Sequence, residues 1–286
     1  MLTTIRPLTT AAGLAAKYER LQSGLCDLGA VMVAFSGGVD STLLLKVAYD
    51  VLGERAVGAI ALSETIPAAE VQAAKDLAAG IGARLYTVYT EEMLNAAFRA
   101  NDANRCYHCK TELFTKLRPL ADSLGIQYLA YGVNVDDMGD HRPGQTAAGE
   151  WAVQGPLRDA GLNKSEIRQL SRQLGLPTWN KPAMACLSSR IPHGQAISTE
   201  AIRMIEDAEA FIRSLGVYDL RVRSHDKTAR IEVDAESLPL LVQPGIRAKV
   251  TAKLHEIGYR YVTLDLDGFR SGSTNAVNNP AADDLH

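Results

Sequence analysis

No apolar run in the sequence approaches the roughly 18 residues needed to cross a bilayer. The opening stretch MLTTIRPLTTAAGLAAKYERLQ turns charged too soon for a secretory signal core. These absences predict a cytoplasmic protein with no membrane partner. No charge of one sign dominates either: 30 Lys and Arg stand against 33 Asp and Glu, a net charge of −3. A polyanion partner is therefore not indicated, and there is no recognisable RNA-binding appendage, so nucleic acid is disfavoured. Cysteine is scarce, with four in 286 residues. In a reducing compartment Cys26, Cys106, Cys109 and Cys186 are expected as thiols, metal ligands or reactive groups rather than as a disulfide framework. Internal repeats and low-complexity segments are missing, which removes repeat architectures. What remains, 47% hydrophobic and 22% charged, is the composition of an ordinary globular chain. It is long enough for one large domain and a smaller one.

A strand–helix rhythm follows a first amphipathic helix, whose stripe is Leu14, Tyr18, Leu21, Leu25 and Leu28, with Cys26 beside it as a small core-flanking residue. Short apolar runs at 31–35, 57–63, 84–90 and 127–133 read as strands, and 41–52, 67–79, 110–124 and 162–175 as helices. Alternation of this kind implies α/β class: a doubly wound, mainly parallel sheet. Ligands of such sheets lie beyond the carboxyl ends of the strands, which puts Ser36–Ser41, Ser63–Thr65, Thr90–Glu92 and Asn134–Asp137 on one rim. Residues 177–194 are irregular and proline-rich, so the first domain is expected to span 1–194. A smaller α+β domain follows over 195–274, with helices at 199–215 and 247–257 and strands at 219–225, 229–233 and 261–266. Residues 275–286 read as a frayed tail.

The strongest local signal is Ser36-Gly37-Gly38-Val39-Asp40-Ser41 between the first strand and its helix. Glycines 37 and 38 let the backbone approach an anion. Successive amides with a helix N-terminus behind them form an anion cradle, and Ser36 and Ser41 add hydroxyl donors. Asp40 beside a phosphate makes sense if its oxygens hold a Mg²⁺ that the phosphates share. No Gly-Lys-Ser/Thr follows, so this is not a Walker loop, nor is it a GxGxxG turn. The hexapeptide resembles the SGGxDS signature of the PP-loop ATP pyrophosphatase superfamily, with its adenine nucleotide alpha hydrolase-like fold. That resemblance implies ATP cleavage between the α- and β-phosphates and adenylation of a substrate oxygen. It places pyrophosphate on Ser36, Gly38, Asp40 and Ser41, with Gly37 and Val39 in the same loop. The loops at Ala61–Ser63 and Gly132–Asn134 then contact adenine and ribose.

Cys106-Tyr107-His108-Cys109 is a CxxC, and Cys186 lies in Ala-Cys-Leu-Ser-Ser-Arg. By themselves these thiols fit four readings. They are incidental thiols, a zinc site completed by His108 or His193, a redox pair, or a cluster or sulfur site serving the ATP chemistry. The stretches 104–110, 181–190, 221–225, 229–233 and 264–272 resemble the LarE family over nearly the whole chain. This implies an ATP-dependent sulfur transferase that turns a carboxylate of pyridinium-3,5-biscarboxylic acid mononucleotide into a thiocarboxylate, in nickel-pincer nucleotide synthesis. In one variant of the family the cysteine at the position of Cys186 gives up its own sulfur. In the other, three thiols hold a 4Fe–4S cluster carrying an extra sulfide, supplied by a sulfur donor. With Cys106, Cys109 and Cys186 all present, the cluster type is expected. The family forms hexamers, so a homo-oligomer is expected by analogy. Arg221 and Arg223, two apart on a predicted strand, face one side and suit a phosphate or carboxylate. The resemblance gives them to the substrate nucleotide, with Arg190 or Arg223 expected to favour the Cys186 thiolate.

Overall fold

The computed structural model describes residues 12–139, 143–182 and 185–269. Ala183 and Met184, residues 270–272 and the tail fall outside this set. In chain order the elements are α1 (Ala12–Leu28), β1 (Val31–Ala34), α2 (Val39–Leu52), β2 (Ala56–Leu62), α3 (Ala68–Ile81), β3 (Arg84–Tyr89), α4 (Ala96–Arg99), α5 (Arg105–Ser123) and β4 (Tyr128–Tyr131). They continue with α6 (Pro143–Glu150), α7 (Pro156–Asp159), α8 (Lys164–Gln173), α9 (Thr199–Ser214), β5 (Leu220–His225), β6 (Thr228–Val233), α10 (Leu238–Val242), α11 (Pro244–Ile257) and β7 (Tyr261–Leu264).

Four parallel strands in the order β3-β2-β1-β4 make the first sheet. The central strand shows why the apolar runs lack alternation. Val31 and Val33 enter a core with Leu14, Leu21, Leu43, Leu44 and Ile167, while Met32 enters another with Phe114, Leu117 and Leu129. Both faces are covered by helices, so every position must be apolar. Cys26 on α1 is exposed rather than core-flanking, because the buried stripe of that helix runs through Leu21 and Leu25.

The second sheet, β5-β6-β7, pairs β5 with β6 antiparallel and β6 with β7 parallel. A hairpin needs only a tight turn, whereas the parallel step needs a crossover, which α10 and α11 supply. Its core joins Ala208 and Ile212 of α9, Val222, Ile231 and Val233 of the strands, and Leu254 of α11.

The chain forms two compact units that part between 184 and 185 rather than at 194, and residues 93–103 belong with the second unit. Asn101 is the reason. Its buried side-chain amide donates to the carbonyls of Ile191 (3.2 Å), Pro192 (2.8 Å) and Gln195 (3.0 Å). Gly194 N–H returns to Asn101 O at 3.0 Å, and Ile197 N–H to Arg99 O at 2.8 Å. Asn101 holds φ 56°, a left-handed conformation that asparagine tolerates better than alanine. Asn101→Ala is therefore expected to cost about 2–4 kcal/mol, from orphaned carbonyls plus backbone strain. Urea unfolding checks this, and a loss below about 0.5 kcal/mol would contradict the anchoring role.

Candidate active site

The loop at 36–41 follows the strand at which the sheet reverses direction. β2 and β3 lie to one side of β1, and the chain returns to place β4 on the other. Such switch points open a crevice at the carboxyl edge. Gly37 takes φ +69°, and a Cβ there would stand 2.9 Å from the Cβ of Ala74. Gly38 is extended and caps α2. The Ser41 hydroxyl donates to Gly38 O at 3.2 Å, accepts from Ser36 N–H at 3.3 Å, and lies 3.1 Å from Ser36 Oγ. Gly132, just beyond β4, comes so close that a Cβ would sit 2.8 Å from Ser41 N. Two backbones thus meet at this point, and the first amides of α2 have no intrahelical acceptor. A helix N-terminus of this kind suits an anion.

Asp40 is not idle. Its Oδ1 accepts from Asn134 Nδ2 at 3.4 Å, and its Oδ2 from the ammonium of Lys164. Asn134 is itself set by Asp137, whose Oδ2 accepts Asn134 N–H at 3.0 Å. Lys181 Nζ donates to Gly37 O at 3.1 Å and to Glu70 Oε2 at 2.9 Å. Ser63 and Thr65 both donate to Glu92 Oε1, so the Ser63 hydroxyl is engaged by a buried carboxylate rather than presented freely to a ligand. Ala61 lies half-buried near the carboxyl end of β2.

Cys106 and Cys109 do not sit in a turn before a helix starting at Lys110. The helix α5 begins at Arg105, and both thiols lie within its first five residues. Residues three apart on a helix share a face. The Tyr107 hydroxyl donates to Glu150 Oε2 at 2.7 Å. All four cysteines are free thiols, Cys106 exposed and Cys109 half-buried. Among the described residues no three His, Cys, Asp or Glu side chains gather into a group able to hold a metal ion.

The second unit carries Cys186 at the start of a short 3₁₀ turn, Leu187–Arg190. Arg190 is 1% exposed. Its Nε donates to Glu209 Oε1 at 2.9 Å, and its Nη1 to the carbonyls of Ala185 (2.6 Å) and Cys186 (3.0 Å). Arg190 thus braces the backbone that presents Cys186. Burial by itself would raise the Glu209 carboxyl, but Arg190, then Arg213 and the Val222 N–H, hold it below its usual value. Arg221 and Arg223 do share a strand face opposite Val222, as their spacing predicts. Arg223 Nε donates to Glu232 Oε2 at 3.0 Å and its Nη1 to Ser189 O at 2.9 Å. Arg221 lies 4.7 Å from the Phe269 ring centre. Desolvation, with the charge of Arg190 second, pulls the Arg221 guanidinium down to about 10. A cation held this far below its normal value gains from an anion placed beside it.

The NAD synthase family matches residues 21–121, from α1 through the loop and into α5. Over 266 residues the chain is 38% identical to the pyridinium-3,5-bisthiocarboxylic acid mononucleotide synthase of Lactiplantibacillus plantarum, covering 92% of this chain and 95% of that one. The chain belongs to the LarE family. It is also 44% identical to an uncharacterised protein of Synechocystis sp. over 92% of its own length and 98% of that protein. An uncharacterised protein of Methanocaldococcus jannaschii is 25% identical over 84% of this chain and 91% of its own.

This LarE protein is thus an ATP-using enzyme of the PP-loop superfamily. Sequence reading of its site missed Lys164 and Lys181. The signal for Lys164 was present: a lysine at the first position of a helix whose capping box, Asn163 and Glu166, is legible and is formed in the structure. Lys181 stands within a stretch that resembles LarE, but nothing local says that it reaches Gly37. Glu92 is expected on the rim, but its burial against Ser63 and Thr65 has no sequence signal, since a glutamate after a strand is ordinarily solvated.

Proposed function

We propose that this LarE protein binds ATP at residues 36–41, adenylates a carboxylate of a pyridinium mononucleotide, and replaces one carboxylate oxygen by sulfur in the cytoplasm. The observation that carries this is the loop geometry at the switch point of the sheet: Gly37 is left-handed and packed on Ala74, and Gly132 packs on the first residues of α2, so that this end of the helix is built from backbone. A carboxylate oxygen of the substrate attacks the α-phosphorus and pyrophosphate departs, leaving an acyl-adenylate. A sulfur nucleophile then attacks the acyl carbon, and AMP leaves with the original carboxylate oxygen. Amides of the loop, with the Ser36 and Ser41 hydroxyls, bind the charge that collects on the departing phosphates.

Asp40 supplies the hard carboxylate oxygens that Mg²⁺ prefers, beside the loop, and so fits that ion. Bound there, Mg²⁺ would neutralise phosphate charge. Arg221 and Arg223 are proposed to engage the anionic groups of the substrate nucleotide, which the lowered Arg221 value supports.

Cys106, Cys109 and Cys186 are proposed as the three ligands of a 4Fe–4S cluster that holds the transferred sulfide. The thiol count and the shared face of Cys106 and Cys109 support the cluster. Among the described residues the three ligands are not gathered into one group. Anaerobic purification with iron and sulfide analysis tests this. Cys106→Ala is expected to lose the iron while binding ATP as before, and unchanged iron content would overturn the assignment. Absence of iron in the unmodified protein, with loss of one H₂S from Cys186 on turnover, would make that cysteine the consumed donor. Pyrophosphate release that requires ATP, Mg²⁺ and the pyridinium substrate tests the reaction itself.

A further inference from the structure

Lys164 is a cation where helix electrostatics disfavours one. It is the first residue of α8, at the positive end of the helix dipole, where anionic side chains are the stabilising choice. Capping does not explain it, because Asn163 and Glu166 already close that helix end between them. Its backbone N–H is set on Asp136 Oδ2 at 2.8 Å, which fixes where the side chain starts. From there the ammonium reaches Asp40, the acidic side chain of the phosphate loop itself. The pair is not locked away: the side chains keep 34% and 20% of their exposure. An exposed ion pair of this kind contributes little to stability and parts easily. Lysine also suits the task, being a strongly hydrated point charge on a flexible stem that binds phosphate without a fixed fork.

We propose that Lys164 is a resident counter-ion of the phosphate loop. It neutralises Asp40 while the crevice holds no nucleotide, and its ammonium moves to the incoming phosphates when they bind. That transfer releases Asp40 Oδ2 to a divalent cation. The inference rests on the ATP reading of the loop and deepens it. Lys164 and the cation compete for Asp40 before nucleotide arrives and act on the same phosphates afterwards. Metal-free loading of phosphate and metal capture by Asp40 are then coupled through one side chain.

The test compares wild type with Lys164→Met, which keeps the length and removes the charge, and with Lys164→Ala, which the first turn of a helix accepts well. Mn²⁺ binding without nucleotide is followed by electron paramagnetic resonance of the free ion. Both variants are expected to bind Mn²⁺ at least about fivefold more tightly than wild type, because the competing ammonium is gone. Adding Asp40→Asn should abolish that gain. In metal-free buffer, calorimetry should show pyrophosphate binding weakened by about tenfold or more, the usual size for losing a charged hydrogen bond. A bridge that merely joins α2 to α8 would lower the melting temperature and leave Mn²⁺ affinity where it was. That result in either folded variant overturns the proposal. Failure of wild type to bind either ATP or pyrophosphate would instead bring down the ATP reading itself, and this inference with it.

Discussion

Gly37→Ala is expected to lower kcat/KM for pyrophosphate release by about 100-fold or more, the loss that follows when a cradle is displaced by about an ångström. Two effects act at once. A left-handed residue with a Cβ is strained by about 1–2 kcal/mol. In addition, the new methyl would lie 2.9 Å from Ala74 Cβ, closer than carbon atoms tolerate, so the loop or α3 must shift. The displaced atoms are the amides proposed to grip the phosphates, so the loss should fall on ATP binding and chemistry more than on folding. Gly125 is the control. It too has a positive φ of +68°, but nothing lies within 4 Å of its position, and it precedes β4 at the opposite edge of the sheet. Gly125→Ala should therefore show the backbone strain alone, with near-normal kinetics. Activity of Gly37→Ala within about threefold of wild type would refute the anion cradle.

Glu209→Ala is expected to destabilise the second unit by about 3–5 kcal/mol, because Arg190 would remain as an uncompensated buried charge. Both side chains of that pair are almost wholly buried, 1% and 0% exposed, and the partly exposed Arg213 alone could turn to water when Glu209 is lost. Amide exchange across 185–269 during urea titration reads the effect where it arises. The pH dependence gives an independent check. Glu209 is held below the ordinary 4.5, so its folded form binds its proton less readily than the unfolded chain does. Its contribution is full above about 4.5 and is lost as pH falls through the lower folded value. Wild type should lose stability in that acidic window, and Glu209→Gln should show a flatter profile there. An unchanged acid profile in Glu209→Gln would remove Glu209 from the set of groups that hold the Cys186 turn in place through Arg190.

The parallel sheet was legible because its strands are covered on both faces and so read as unbroken apolar runs between helices of clear periodicity. The proposed phosphate loop stands out in the sequence because its whole apparatus is contiguous: strand, two glycines, hydroxyls, carboxylate and helix follow one another within a few residues. The capping box of α8 was legible for the same reason. By contrast, the start of α5 was placed five residues late, at Lys110 instead of Arg105. The CxxC drew attention as a turn motif, while Arg105, which is buried, gave no apolar signal for a helix start. The Asn101 anchor was invisible because its partners lie some 90 residues away.

The sequence alone determined the class of fold and the family to which the chain belongs, since each depends on the order of residue types over short spans. Only the tertiary structure decided which charges meet. It placed Lys164 on Asp40, Glu92 on Ser63 and Thr65, and Glu209 on Arg190. It also moved 93–103 into the second unit. Ion pairs and buried hydrogen bonds act over a few ångströms in space and leave no periodicity along the chain. Their partners become fixed only when the hydrophobic cores bring distant segments together.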